Sequence, residues 1–190
     1  AFVLLATWVN LLAAGLTLAA TLFYVFVYTG WLKRNSPQNI VIGGAAGSIP
    51  PLVGWAAITG GLDLPALYLF AVIFFWTPPH FWALALLIQA DYERARIPML
   101  PVVAGRQHTI FHIFIYTLVL VALSLLLAAT SAVGWVYFGA ATLLGMVFIV
   151  IAWQLKLQST ARLARRLYLY SLLYLALLFV AMIADSTVPL

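Results

Sequence analysis

The chain has 190 residues, 66% of them hydrophobic and only 7% charged, with a net charge of +5. That apolar share stands far above the roughly 45–50% of a soluble domain, and the mean hydropathy is +1.14, so a water-soluble globular protein is excluded. Cysteine is absent, which excludes disulfide frameworks and thiolate chemistry.

Apolar runs of about 20 residues recur with short polar breaks and without the ten-residue alternation of a barrel, so helices are the spanning element. The fold class expected is all-α, a polytopic transmembrane helical bundle forming one domain over residues 1–190. Residue 1 lies inside an apolar run that lacks the basic n-region and cleavage pattern of a signal peptide. The chain is therefore read as starting partway through a helix. Residues 1–6 read as the tail of a span, and residues 7–10 as a turn with Asn10 as the N-cap of the first full span.

The predicted spans are residues 11–29, 39–58, 64–90, 110–129, 135–153 and 167–184. In the second, Gly43 and Gly47 form a GxxxG step that permits close helix approach, while Pro50-Pro51 must break the hydrogen-bond ladder. The segment TGGLD closes it. All nine Lys and Arg fall in three alternate loops: Lys33 and Arg34; Arg94, Arg96 and Arg106; Lys156, Arg162, Arg165 and Arg166. The opposite loops carry Asp63 and Asp185 instead, so the positive-inside rule puts the basic loops in the cytoplasm or matrix. So cationic a face suits an anionic ligand or an anionic leaflet.

Residues 74–105 organise the rest, because there an apolar run ends in Asp91 and Glu93 with basic neighbours. Treated as one helix, His80 and Asp91 fall within about 20° of each other on one face and about 16 Å apart, on a stripe with Trp76 and Leu87. A membrane-edge carboxylate can hold Mg²⁺ against phosphate oxygens while Arg and Lys take the remaining charge; the alternative is a solvated loop whose acids balance its arginines. Two prolines in IPMLP stiffen that loop. Tyr28, Lys33 and Arg34 read either as part of a site or as interfacial anchors. An imidazole within a span, as at His80, is a functional candidate or a buried group bonded to a carbonyl freed by Pro78 and Pro79. His108 and His112 have the i, i+4 spacing of a metal pair but no third ligand nearby, which favours polar packing or anion contact. Phe74, Phe75, Trp76, Phe81 and Trp82 could line an isoprenoid channel and shield a carbocation, or simply pack. Arg162, Arg165 and Arg166 suit anionic lipid headgroups.

The segments YTGWLKRNSPQNIVIGGAAGSIPPLVGW, FFWTPPHFWALALL, DYERARIPMLPVVAG and ARRLYLYSLLYL resemble the UbiA-type intramembrane prenyltransferases, in the branch that farnesylates heme. The resemblance runs from about residue 1 to the C-terminus. It implies a nine-helix bundle whose N-terminal helices are missing here, with a cavity opening toward the cytoplasm or matrix and two acidic motifs holding Mg²⁺ and diphosphate. The second motif falls on Asp91, with Glu93 the nearest further acid, because position 95 is Ala where the wider superfamily has a second Asp. The first motif is not in the chain. On this resemblance Asp91, Lys33 and Arg34 are catalytic. Tyr28, Asn39, Trp76, His80, Tyr92, Arg94, Arg96 and Arg106 bind substrate, His80 being the candidate for contact with the porphyrin or its iron.

The activity so implied transfers the farnesyl group of farnesyl diphosphate to a vinyl group of heme b, releasing pyrophosphate and yielding heme O for heme-copper oxidase assembly. Mg²⁺ is the implied cofactor and heme b a substrate, with the lipid bilayer and heme A synthase as further partners. The expected home is a bacterial inner membrane, with the mitochondrial inner membrane as the alternative. Competing readings are a prenyltransferase acting on a quinone precursor or chlorophyll-like ring, and a transporter or structural subunit in which the buried prolines and histidine are pathway elements. The basic residues form membrane-edge clusters and no soluble basic face, which argues against nucleic-acid binding.

Overall fold

The computed structural model describes residues 1–130 and 132–186. In chain order the helices are α1 (Phe2–Trp8), α2 (Leu11–Leu22), a π-helical segment (Phe23–Leu32), α3 (Lys33–Asn35), α4 (Asn39–Gly47) and α5 (Pro50–Thr59). There follow α6 (Leu64–Leu87), α7 (Gln89–Arg94), α8 (Leu100–Val103), α9 (Arg106–Leu127), α10 (Trp135–Gln158) and α11 (Ala161–Ser186). No strand occurs among the described residues. Six stretches are long and apolar enough to cross a membrane: Leu11–Asn35, Asn39–Thr59, Leu64–Leu87, Arg106–Leu127, Trp135–Gln158 and Ala161–Ser186. The protein is an all-α integral membrane bundle.

Helix ends differ from the sequence expectation where polar residues occupy a terminal turn. The fourth span starts at Arg106 and the sixth at Ala161, because basic first turns remain helical while carrying no apolar periodicity. Asn10 caps α2 and reaches beyond it. Its Oδ1 accepts from the Ala13 amide at 2.8 Å, and its Nδ2 donates to the Ala56 carbonyl of α5 at 2.7 Å. The second span is made of two pieces: α4 stops at Gly47, and Pro50 and Pro51 open α5, where their missing amides would have been unpaired anyway. Gly60, with φ +73°, ends α5 in a left-handed turn that favours glycine.

The tightest packing joins α6, α9, α10 and α11. Lipid tails are as apolar as leucine, so close contact at small residues and hydrogen bonds between helices must supply the association. Both are present. A Cβ on Gly145 of α10 would lie 2.6 Å from Val121 Cγ1 of α9, so that crossing leaves no room for a side chain. Ser124 of α9 joins three helices: Tyr137 of α10 donates to its carbonyl at 2.9 Å and Tyr174 of α11 donates to its hydroxyl at 2.8 Å. The Ser124 hydroxyl in turn donates to the Leu120 carbonyl at 3.0 Å. At the other end of the bundle from the arginines, Asp185 accepts from the amides of Gly134, Val136 and Tyr137, placing a carboxylate on the positive end of α10. Near the basic end, Lys156 keeps its ammonium 4.9 Å from the Phe114 ring centre, 5.1 Å from Trp153 and 5.5 Å from Phe111.

Tyr174→Phe keeps the ring and removes one bond of the Ser124 node. We expect it to destabilise the bundle by about 1 kcal/mol, the scale of an interhelical hydrogen bond in lipid, measured as unfolding by SDS in mixed micelles; an unchanged midpoint would show that the node contributes nothing.

Candidate functional site

From Phe23 to Leu32 the first span is π-helical, bonded i to i+5, a rare form concentrated at functional sites. This segment and α3 after it line two separate pockets. Tyr24 and Tyr28, with ring centres 5.3 Å apart, line a cleft of about 530 Å³ closed by α4 and by Trp76, Thr77 and Phe81 of α6. Thr29, Gly30 and Lys33 line a second pocket of about 330 Å³, completed by Arg34 and by Ala95 and Ile97 of the α7–α8 connection. The first is walled mostly by apolar groups; the second presents two exposed cations.

Glycine sets the width of the cleft. A Cβ on Gly43 would fall 2.2 Å from Cδ2 of Tyr28, and one on Gly44 would fall 3.1 Å from Cγ2 of Thr77. The GxxxG pattern places the close approach at Gly43 and Gly47. The structure moves it to Gly43 and Gly44, since a Cβ on Gly47 would meet nothing within 4 Å.

Asn39 opens α4 and is buried. Its Nδ2 donates to the Lys33 carbonyl at 3.4 Å, while its Oδ1 has no partner among the described residues. A buried acceptor left unpaired is costly. Tyr92 is half-buried and close enough to Tyr28 to act on it electrostatically; burial raises its phenol above the ordinary value, which keeps it protonated at neutral pH.

The acidic stretch is arranged differently from the single-helix arithmetic. α6 stops at Leu87, and Ile88, at φ −117° and ψ 32°, breaks the helix before α7. His80 and Asp91 therefore do not share a helix face, and the stripe from Trp76 to Asp91 is not formed. Asp91 pairs with Arg94, both largely exposed. Glu93 accepts from Gln89 Nε2 at 2.8 Å, and positions two apart on a helix do not face each other. Asp91 and Glu93 thus do not converge as one ligand pair, and no group of three or more His, Asp or Glu side chains suited to a metal gathers among the described residues. Arg96 is exposed and has φ +53°. Arg106 is used by the fold: its Nε donates to the Ser159 carbonyl at 3.0 Å and its Nη1 to the Leu86 carbonyl at 3.4 Å. Met99, Leu100 and Pro101 are buried and anchor the connection.

His80 sits deep between α6 and α11. Its ring stacks on Trp76 at 4.3 Å and on Tyr168 at 4.8 Å, and Phe81 meets it edge-on at 5.0 Å. Its Nδ1 lies 2.7 Å from Ser171 Oγ, so its partner is a hydroxyl of α11 and not a carbonyl freed by the prolines. His108 and His112 meet with ring centres 4.2 Å apart and planes tilted by 41°, and His112 Nδ1 lies 3.0 Å from the His108 carbonyl, which is polar packing.

Tyr28, Lys33 and Arg34 are therefore brought against the 92–97 stretch, Trp76 faces the cleft, and His80 lies in an aromatic stack outside its lining. Sequence reasoning did not find Tyr168, Ser171, Gly43 as the seat of Tyr28, or Ala95 and Ile97. For Tyr168 and Ser171 the available signal was their three-residue spacing on one face of α11.

The sequence comparison defines the class: residues 1–183 match the UbiA prenyltransferase family, and the chain belongs to it. Among its relatives, the protoheme IX farnesyltransferase of Roseiflexus sp. is 57% identical over 188 residues, covering 99% of this chain and 35% of the relative. Those of Picosynechococcus sp. (57%) and Thermosynechococcus vestitus (58%) each align over 187 residues, 97% of this chain and 59% of theirs. The chain thus spans about a third to three-fifths of the curated relatives it matches. No solved structure matches it.

Gly43→Ala must displace the Tyr28 ring. We expect a loss of about 1–3 kcal/mol, as for other overpacked sites, and recovery of most of it in the Gly43→Ala, Tyr28→Ala pair. A double-mutant cycle on thermal unfolding in detergent measures this; additive losses would mean the two residues are not in contact.

Proposed function

We propose that this chain carries the prenyl-diphosphate half of a protoheme IX farnesyltransferase, transferring farnesyl from farnesyl diphosphate to a vinyl group of heme b to give heme O. The observation that carries the reading is that one stretch of chain, the π-helical segment followed by α3, lines an apolar cleft with Tyr24 and Tyr28 and a cationic pocket with Thr29, Gly30, Lys33 and Arg34. A ligand with an apolar tail and a polyanionic head matches both at once. The names of the relatives supply the acceptor.

In this reading the farnesyl chain lies against Tyr24, Tyr28, Trp76 and Phe81, and the diphosphate meets Lys33 and Arg34. Arg94 and Arg96 neutralise the remaining charge, and Tyr92 donates a hydrogen bond from its protonated phenol. Asn39 contributes by holding the Lys33 carbonyl through its Nδ2, and Arg106 contributes indirectly by fixing the loop. Asp91 is the carboxylate that would hold Mg²⁺. The donor set fits that ion in the open manner it commonly takes, one carboxylate with water and substrate phosphates, and Glu93, bonded to Gln89, is not needed. The Asp91–Arg94 pair is exposed, so opening it costs less than about 1 kcal/mol, and it releases Arg94 for phosphate. When bound, the ion would offset charge on departing pyrophosphate.

The carbon–oxygen bond of farnesyl diphosphate breaks with both electrons leaving on pyrophosphate. Cations fixed in advance where that charge develops lower the barrier, and aromatic faces along the cleft shield the allylic cation. The heme vinyl captures it, and water adds to the resulting carbocation with loss of a proton, completing the hydroxyethylfarnesyl side chain. The chain forms one domain within a nine-helix bundle, its basic loops facing the cytoplasm of a bacterial inner membrane, and its product passes to heme A synthase for heme-copper oxidase assembly.

The test uses the full-length protein with heme b and farnesyl diphosphate, following pyrophosphate release and heme mass, with and without Mg²⁺. Asp91→Asn and Lys33→Ala should each cut product formation by about 10²-fold or more, the scale of losing a charge-stabilising group, and omitting Mg²⁺ should abolish it. Pyrophosphate release without mass gain on heme would move the acceptor elsewhere, and unimpaired turnover in both variants would remove this pocket from the chemistry.

A further inference from the structure

The turn joining α10 to α11 opens a pocket of about 780 Å³ at the basic end of the bundle. α11 lines it with Arg162, Arg165 and Arg166, and α10 lines it with Gln154 and Gln158. Spacing explains the convergence, because positions three and four apart share a helix face. The turn itself is held by α9. Ser159 adopts the left-handed conformation at φ +50°, its carbonyl accepts from Arg106 Nε at 3.0 Å, and its hydroxyl accepts from Gln107 Nε2 at 3.1 Å.

The charge in this pocket is unanswered. None of the four carboxylates, Asp63, Asp91, Glu93 and Asp185, lines it. Among the described residues the three guanidiniums and the two side-chain amides have no ion-pair or hydrogen-bond partner, whereas Lys156 of α10 has its three aromatic rings. Helix energetics do not account for the arginines either, since cations in the first turns face the positive end of the helix dipole. Toward the middle of the spans both helices turn apolar faces outward. The face of Gln154 continues through Val150, Val147 and Leu143, and the face of Arg162 and Arg165 through Leu169, Leu173 and Leu177, all six exposed. Leu169 also lines the pocket, so the cationic site passes directly into a lipid-facing surface.

We propose that this pocket binds an anionic glycerophospholipid. Arg162, Arg165 and Arg166 hold its phosphodiester, for which the guanidinium fork is suited, Gln154 and Gln158 bond its glycerol oxygens, and its acyl chains lie along the exposed faces of α10 and α11. A soluble phosphate offers the same charge to the arginines but nothing to the apolar faces. The pocket shares no lining residue with the one at Lys33 and Arg34, and the site stands independently of the farnesyltransferase reading. An occupant would brace the α10–α11 turn, which Arg106 also ties to the Leu86 carbonyl at the end of α6.

The test uses the full-length protein in detergent, titrated separately with phosphatidylglycerol, phosphatidylcholine and inorganic phosphate. Bound lipid is counted by native mass spectrometry and the unfolding midpoint is followed in parallel. Phosphatidylglycerol should bind and raise the midpoint, as any ligand of the folded state does; phosphatidylcholine should do neither, and phosphate in about 100-fold excess should not displace the lipid. Replacing all three arginines by glutamine (Arg162→Gln, Arg165→Gln, Arg166→Gln) should weaken binding about 10²-fold, at about fivefold for each charge. The pair Gln154→Leu and Gln158→Leu leaves net charge unchanged and should still cost about tenfold, the scale of lost hydrogen bonds; diffuse attraction to a cationic face predicts no loss. These side chains are exposed or half-buried, so both variants should unfold at the wild-type midpoint in lipid-free detergent. A wild type that holds no phosphatidylglycerol, equal retention of phosphatidylcholine, displacement by phosphate, or undiminished binding in either variant would each overturn the proposal.

Discussion

Inside hydrocarbon every backbone amide and carbonyl must find its partner within the protein, and this constraint governs where the chain is regular and where it is not. α9, α10 and α11 are uninterrupted helices of 22, 24 and 26 residues. The departures fall elsewhere: the π-helical run, the α4–α5 break, Pro78 and Pro79 inside α6, and the break at Ile88. All of these lie on or beside the helices that wall the cleft and the cationic pocket. Irregular backbone at membrane depth is tolerated where protein covers it or a cavity adjoins it, so the regular helices act as the wall against which an irregular site is built.

The parts legible in the sequence were those that depend on near neighbours. Six apolar runs, the Asn10 cap, the turn at Gly60 and the one-sided distribution of cations come from composition and local chemistry. The features that escaped were set by distance or by small backbone changes. Residues 74–91 keep an apolar, helix-compatible pattern across Ile88, so periodicity carried one helix through a point where the backbone turns. The π segment FYVFVYTGWL has the same apolar pattern that an α-helix would show. Ser171 stands 91 residues from His80, and only the packing of α11 on α6 joins them.

Charge is distributed with equal economy. Among the described residues the only ion pair is Arg94 with Asp91, and most of the other basic groups face out from the same end of the bundle. Lys156 is the exception in kind, its ammonium surrounded by three aromatic rings that stabilise a cation in a partly dry setting. At the opposite end, Asp185 is satisfied by backbone amides alone. The two ends of the bundle thus differ in how their charges are answered: on one side by neutral N–H donors of the protein, backbone amides for Asp185 and the Trp55 indole for Asp63, and largely by solvent on the other, where an anion can compete for them.

Gly43 has its Cα so close to the Tyr28 ring that no side chain fits between them. The two positions, fifteen residues apart in the chain, therefore behave as a single unit of variation. Drift at the glycine is open only to lineages that have first given up the full tyrosine ring, and a descendant that keeps the tyrosine keeps the glycine with it. Paired change at these two columns across a family would record that steric bond in evolutionary time.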